Sequence, residues 1–351
     1  VFRTEIFYFS IGLISLLSLL ILLFLYLIAK KAIENNKRKR VEEYKEAYRL
    51  KLFHYINENK EEAFPAEQYS PLQLQALVEL LAGYSKAVAS EDLQERIQQF
   101  ADRHFTDFIQ SGLKHRRWSI RMNALYWVGD FKMKSMISQL EEVHSSSRLT
   151  KGEELQLLKI GILLQDESIV EKMMDPVHDL TEFEYSTLFQ SLNHEQFTYL
   201  LMRFTELSDR MKHAMIDAIG LRNQIELGDL LEEKLEDPSL EIRIRSLKAL
   251  VEMEYYIPLP KLNTLLQSES WQVRLMAIKA CEYIRTEELT ASLIALMGDR
   301  SYYVRSQAAQ ALLRADKGRG ILEGIAATAE DDYARDMAEQ WLERGMPNED
   351  L

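Results

Sequence analysis

Cysteine occurs once in 351 residues, at Cys281, so the chain can form neither an internal disulfide nor a metal site built from several thiolates. A reducing compartment is compatible with that scarcity. Glycine and proline are also few, 13 and 7 residues. With apolar residues at 47% and charged residues at 28%, the composition is that of a folded, helix-rich chain rather than a disordered one. The histidines at 54, 104, 115, 144, 178, 194 and 213 show no H-E-x-x-H or other ligand spacing, and His194-Glu195 is the only His-Glu pair. There is no glycine loop to cradle a phosphate and no G-x-S-x-G nucleophile turn. Cys281, within KACEY, reads as a small core residue rather than a nucleophile. These absences set the expectation of no cofactor, no metal, no catalytic residue and a function in binding.

Positive charge is short as well. Residues 41–351 carry 36 basic against 53 acidic residues, a net of about −17. Phosphate contacts dominate nucleic-acid affinity, so a field of that sign argues against nucleic acid as a partner. The local exception is KHRRWSIR at 114–121, followed by Lys132 and Lys134. Lys114, Arg116, Arg117, Lys132 and Lys134 are candidates for docking an acidic partner, a phosphorylated ligand or a lipid surface. A solvated face, with Arg121 part of a repeat and Trp118 in a repeated packing column, accounts for the same residues.

What the chain has in excess is one apolar run. Ile6 to Ala29 holds 24 residues without a charge. At about 1.5 Å per residue it reaches roughly 36 Å, enough to cross a hydrocarbon core of ~30 Å. A secretory signal has an apolar region of about 7–15 residues, positive charge before it and a small-x-small site after it. Here the run is longer, only Arg3 precedes it beside Glu5, and Lys30-Lys31 follow directly. The expectation is an uncleaved transmembrane helix over 6–29. Lys30, Lys31, Lys37, Arg38, Lys39 and Arg40 follow it, which by the positive-inside rule places the N-terminus outside and the rest in the cytoplasm of a single-pass cell-membrane protein. The same cluster suits anionic headgroups, at about 1 kcal/mol per residue. Gly12, Ser15 and Ser18 form a small-residue stripe that permits helix–helix association in lipid; tolerated serines explain it equally, and the oligomeric state stays open. Val1 is either the literal reading of a GUG start, which points to a bacterial source, or a trimmed terminus.

Residues 30–64 read as a basic juxtamembrane segment and linker helix, with apolar positions 41, 44, 48, 52, 55 and 56 packed on the following domain or on a partner. The pattern lasts too few heptads for a coiled coil. AFPAEQYSP, with Pro65 and Pro71, punctuates the change to a domain at 66–345, and 346–351 is a tail. SSSRLT at 145–150 is the most loop-like interior stretch.

That domain repeats itself. SESWQVRLMA at 268–277 and DRSYYVRSQA at 299–308 stand 31 positions apart. An apolar residue followed by Arg recurs at Ile242-Arg243, Val273-Arg274, Val304-Arg305 and Ala334-Arg335, with Met211-Lys212 and Ile120-Arg121 in register upstream. Three positions on stand Ala124, Met215, Ser246, Ala277, Ala308 and Ala338; six on stand Trp127, Ala218, Ala249, Ala280, Ala311 and Trp341. Three before come Trp118, Leu240, Trp271 and Tyr302, and six before come Asp237, Ser268 and Asp299. Small residues three apart share a helix face and permit close packing. Asp237-Pro238 reads as a helix start, with Asp as cap and Pro at the first helical position. A helix pair of this length cannot bury its apolar face alone, so the period implies a solenoid of stacked antiparallel pairs.

The pattern D-P-x-x-x-I-R-x-x-S-x-x-A-L at 237–250 and its copies resembles HEAT repeats, in particular the short bilin-lyase-type variety. The resemblance is strong over 206–345, recognisable at 118–128 and weak between 150 and 200. It implies an all-α, right-handed α-solenoid whose second helices line a concave face, with the Arg of one repeat meeting the capping Asp of a neighbour. Asp237, Arg243, Arg274, Asp299 and Arg305 are then structural ladder residues. Among enzymatic relatives, deoxyhypusine hydroxylase needs several His-Glu pairs, and alkylpurine DNA glycosylases need a basic cleft. The function expected is a membrane-anchored cytoplasmic scaffold that binds another protein, a polysaccharide-synthesising glycosyltransferase complex among the candidate clients. The alternative is a bilin-lyase-like enzyme or ligand sensor with a small-molecule pocket in the concave face.

Orientation is open to direct measurement. With Cys281→Ser as background, Phe2→Cys reacts with an impermeant thiol reagent on whole cells and Asn348→Cys does not; the opposite labelling overturns the topology.

Overall fold

A computed structural model describes residues 2–58, 64, 69–88, 90–284, 287–315 and 317–345. Pro65, the tail at 346–351 and the first positions of the domain expected from residue 66 lie outside the described residues. The fold is all-α, with no strand among the described residues. The chain divides into two compact units, Val1–Ile169 and Val170–Leu351.

The first unit begins with α1 (Phe2–Glu58), one unbroken helix of 57 residues. No proline interrupts it, and Gly12 is its only glycine. From residue 11 onward its apolar half is exposed, with a mean hydropathy of 2.9 over an 18-residue window, none of it buried. By length and composition this helix can cross a membrane. Beyond the basic segment the same helix becomes a core element. Val41, Leu52, Tyr55 and Ile56 are buried where it packs on α2 (Pro71–Ala87) and α3 (Glu91–His104). Polar contacts hold that junction. Glu79 of α2 receives Arg38 at 3.0 Å and also pairs with Lys45, while Gln73 donates to Tyr48 at 2.8 Å. Burial by itself raises the Glu79 pKa, but the hydrogen bonds from Lys45 and Gln75 and the charges of Lys45 and Arg38 outweigh it and lower it.

An aromatic cluster fills the space beneath this junction. Tyr55 and Phe64 meet Phe100 edge to face at 4.9 and 5.2 Å, a geometry the ring quadrupoles favour. The unit is completed by α4 (Thr106–Leu113), α5 (Trp118–Asp130), α6 (Ile137–His144) and α7 (Lys151–Leu164) around Phe105, Leu125 and Phe131.

In the second unit two helix layers alternate. The second helices are α9 (Glu182–Ser191), α11 (Asp209–Leu221), α13 (Leu240–Glu252), α15 (Trp271–Ile284), α17 (Tyr302–Arg314) and α19 (Asp332–Arg344). Each packs on the next. The shorter α12 (Gly228–Glu233), α14 (Leu259–Leu266), α16 (Thr290–Leu296) and α18 (Gly318–Thr328) pair with α13, α15, α17 and α19. From α11 to α19 the second helices start at 209, 240, 271, 302 and 332, the period read in the sequence. Ala218, Ala249, Ala280 and Ala311 are buried along this layer. The approach is close at Gly220, where an added Cβ meets the Cα of Ala249 at 3.0 Å.

The repeat also carries a turn device absent from the sequence columns. Lys132 just past α5, Asn223 just past α11 and Glu254 just past α13 adopt φ of 52°, 51° and 52°. The following N–H groups bond back across five residues, Met133 to Val128, Gln224 to Ile219 and Tyr255 to Leu250. This is the left-handed helix stop that satisfies the last carbonyls, usually taken by glycine.

Two readings of the sequence change. Asp237-Pro238 lies before the helix start, because α13 begins at Leu240 with Ser239 as its cap. Asp237, Ser268 and Asp299 instead accept the backbone N–H two residues on, at 2.9, 3.3 and 2.8 Å, bending the entry loop. The column Trp118, Leu240, Trp271 and Tyr302 is exposed, not packed, since it opens each second helix on its outer end.

The small-residue layer predicts a packing penalty. Ala277 and Ala308 are fully buried. Ala277→Trp or Ala308→Trp lowers the urea midpoint by an amount worth about 1–3 kcal/mol or more. An unchanged midpoint overturns the close-packed layer.

Candidate docking surface

The arginine of each repeat closes the loop before its own helix. Arg121, Arg243, Arg274 and Arg305 donate from Nη1 to the carbonyls five and six residues earlier. The contacts to the sixth are 3.2, 2.7, 2.6 and 2.7 Å. Arg335 makes the same six-residue contact at 2.9 Å. Loop carbonyls that no helix satisfies thus gain a charged donor.

The other edge of the guanidinium varies. Arg121 grips Glu153 through Nε and Nη2 at 2.6 and 3.2 Å, and Arg274 grips Asp299 at 2.7 and 2.9 Å. Arg243 and Arg305 form no ion pair among the described residues. The arginine-to-carboxylate ladder therefore holds at some rungs and not at others. Glu153 also completes a capping box with Thr150 at the start of α7, a T-x-x-E signal present in the sequence. Burial alone raises the Glu153 pKa; hydrogen bonds from Arg121 and Thr150 and the Arg121 charge outweigh that, so the carboxyl lies below its usual range.

At the outer ends of α15, α17 and α19 the exposed first-turn rings gather into a ledge. Trp271 stacks on Tyr303 at 5.6 Å, and Tyr302 meets Tyr303 edge to face at 6.0 Å. The Arg305 guanidinium lies 4.8 Å from the Tyr333 ring centroid and 6.0 Å from that of Tyr302. Tyr303 and Tyr333 are each 63% exposed. Tyr303 and Tyr333 stand two residues before the repeated arginines, a signal that the repeat columns passed over.

The basic cluster does not come together. Lys114, Arg116 and Arg117 precede α5, whereas Lys132 and Lys134 follow it, roughly 20 Å away along a 13-residue helix. Lys114 pairs with Glu142 at 3.0 Å, and the Lys132 backbone serves the left-handed stop. A cleft of about 220 Å³ opens beside Lys114, His115, Arg121, Gln139 and Arg148. Its Lys114 and Arg121 charges are already matched by Glu142 and Glu153. Of the juxtamembrane residues, Arg38 is taken up by Glu42 and Glu79, while Lys30, Lys31, Lys37, Lys39 and Arg40 are exposed with no ion pair among the described residues.

The densest set of titratable groups belongs to the second helices. Arg245 of α13 uses all three nitrogens, on Glu241 at 2.6 Å, Asp217 at 2.5 Å and Glu182 at 2.9 Å, and His213 joins Glu182 at 3.1 Å. Every partner is internal, so the set fastens α9, α11 and α13 together. Burial pushes the Cys281 thiol up to about 12, far from a reactive thiolate. No group of three or more metal-ligating side chains forms among the described residues.

The family model described as HEAT repeats matches residues 259–343. Those residues carry HEAT repeats, and the second helices keep the same register back to Asp209, stacked as an α-solenoid of helix pairs. Similar solved structures include the following two. The X-ray structure of YibA from Escherichia coli, a structural genomics target, is 14% identical and covers 74% of this chain and 98% of its own, with a TM-score of 0.39. The crystal structure of importin beta in an ammonium sulfate condition is 16% identical and covers 87% of this chain and 42% of its own, with a TM-score of 0.33. No curated protein matches the chain.

The Arg121–Glu153 pair has a pH signature. Its stabilisation is full above the unfolded carboxyl pKa of about 4.3 and is lost as pH falls through the lowered folded value. Glu153→Gln costs about 1–3 kcal/mol near neutral pH, and its difference from wild type vanishes in acid. Denaturation curves showing a pH-independent difference overturn this account.

Proposed function

We propose that the protein is a membrane-tethered, non-enzymatic scaffold. In this reading α1 crosses the cell membrane once with its N-terminus outside, and the repeats bind another protein in the cytoplasm. The observation that carries the tether is continuity. The apolar run passes without a break into a helix whose Val41 is buried in the first unit, twelve residues beyond Ala29 or roughly 18 Å. A cleavable leader has no need to build a domain core. The first unit then stands directly against the bilayer, with Lys30, Lys31, Lys37, Lys39 and Arg40 on anionic headgroups. Lys114, Arg116 and Arg117 offer a lesser electrostatic contact, and Lys132 with Lys134 another at the far end of α5.

The binding role rests on the exposed rings of the second unit, because Tyr, Trp and Arg dominate the energetic centres of protein interfaces. No cofactor or nucleic acid enters this reading. Its clients lie at the membrane, an enzyme complex such as a polysaccharide-synthesising glycosyltransferase among them. The test is extraction and co-purification from native membranes. The full chain resists alkaline carbonate and, in mild detergent, migrates with a stoichiometric protein partner. Release by carbonate removes the tether, and a chain that purifies alone removes the scaffold.

A further inference from the structure

We propose that Arg305, framed by Trp271, Tyr302, Tyr303 and Tyr333, is the receptor for a carboxylate side chain on a protein segment, an Asp or Glu flanked by apolar residues. The inference rests on the reading that the repeats bind a protein, and it names the chemistry of what they bind. Its starting point is an internal comparison. At two rungs of this chain the Nε–Nη2 edge of the repeated arginine holds a carboxylate by two hydrogen bonds, Arg121 on Glu153 and Arg274 on Asp299. Arg305 makes the same loop contacts through Nη1, at 2.7 Å to the Asp299 carbonyl and 3.2 Å to that of Arg300. Its Nε, however, is withdrawn from solvent and has no acceptor. No other arginine nitrogen among the described residues is left in that condition.

The acids nearest in the chain are engaged elsewhere. Asp299 is held by Arg274, Asp331 caps the Ala334 N–H at 2.9 Å, and Asp332 pairs with Arg335. Glu269 and Glu330, exposed in the flanking loops, form no pair with Arg305. Arg300 is exposed beside the site and adds to its positive charge. A donor enclosed without an acceptor costs free energy, which a carboxylate recovers once the neighbouring exposed rings move aside to admit it. The planar fork matches a carboxylate in two hydrogen bonds, and the Tyr333 ring lies against the guanidinium at 4.8 Å. The exposed rings supply the apolar area on which residues flanking the acid rest, and few rotamers are lost in ordering them. Phosphate would fit the same fork. Both filled copies in this chain hold a carboxylate, the precedent this proposal follows, and a phosphoserine peptide separates the two.

The experiment uses the full chain in nanodiscs of neutral lipid, panned with a random linear peptide library. Enriched peptides carry an Asp or Glu beside an apolar residue. Their synthetic Asn or Gln counterparts bind about tenfold more weakly or worse. Arg305→Lys, which keeps the charge and loses the fork, binds the acid peptide as weakly as wild type binds the amide. Tyr303→Ala, at an exposed position that leaves the loop contacts of Arg305 intact, weakens the acid peptide severalfold with unchanged helical content by circular dichroism. Enrichment of no peptide, equal binding of acid and amide forms, equal binding by wild type and Arg305→Lys, or tenfold preference for a phosphoserine version each overturns the inference. A native partner that co-purifies equally with wild type and Arg305→Lys also overturns it while leaving the scaffold intact. Absence of any partner for wild type is the separate failure of the scaffold itself.

Discussion

The contact on which the second unit depends is the close approach of successive second helices along Ala218, Ala249, Ala280 and Ala311. A lone pair of helices leaves one apolar face wet, and only the next pair covers it. Small side chains bring the backbones near enough for that face to close, as Gly220 against Ala249 shows. Everything else in the repeat serves that stacking. The left-handed residues Asn223 and Glu254 end α11 and α13, and the arginines tie down the loop through which the chain enters.

One residue type in one register thus carries two kinds of work. The Nη1 edge of the arginine faces inward, onto carbonyls of its own repeat, and its geometry is constant. The other edge faces the next repeat, whose residues differ. Where a carboxylate stands there, as for Arg121 and Arg274, the guanidinium is consumed by structure. At Arg305 the neighbouring turn offers tyrosine rings instead, and the same side chain becomes part of an exposed surface. A structural ladder and an exposed aromatic surface are in this way built from one column.

The first unit follows a different constraint. Its core is rich in aromatic rings, and α1 contributes Leu52, Tyr55 and Ile56 to it. The helix that is apolar on all sides at one end is amphipathic at the other. Arg38 and Lys45 close on Glu79 where the character changes, which places two of the basic residues in packing rather than at a lipid surface.

The sequence by itself determined the period, the helical class, the long apolar helix and the positions of the repeated arginines, because each depends on spacing along one chain. Burial and partnership were decided only by tertiary structure. The ring column at Trp271 and Tyr302 is hydrophobic and periodic, yet exposed, since periodicity marks a shared position and not the side that faces inward. The basic cluster at 114–134 is compact in sequence and split in space, because a rigid helix of 13 residues lies between its halves. The carboxylate that fills an arginine fork comes from 32 residues away for Arg121 and 25 for Arg274. With no constant offset to read, only the folded contacts reveal that Arg305 has no such partner.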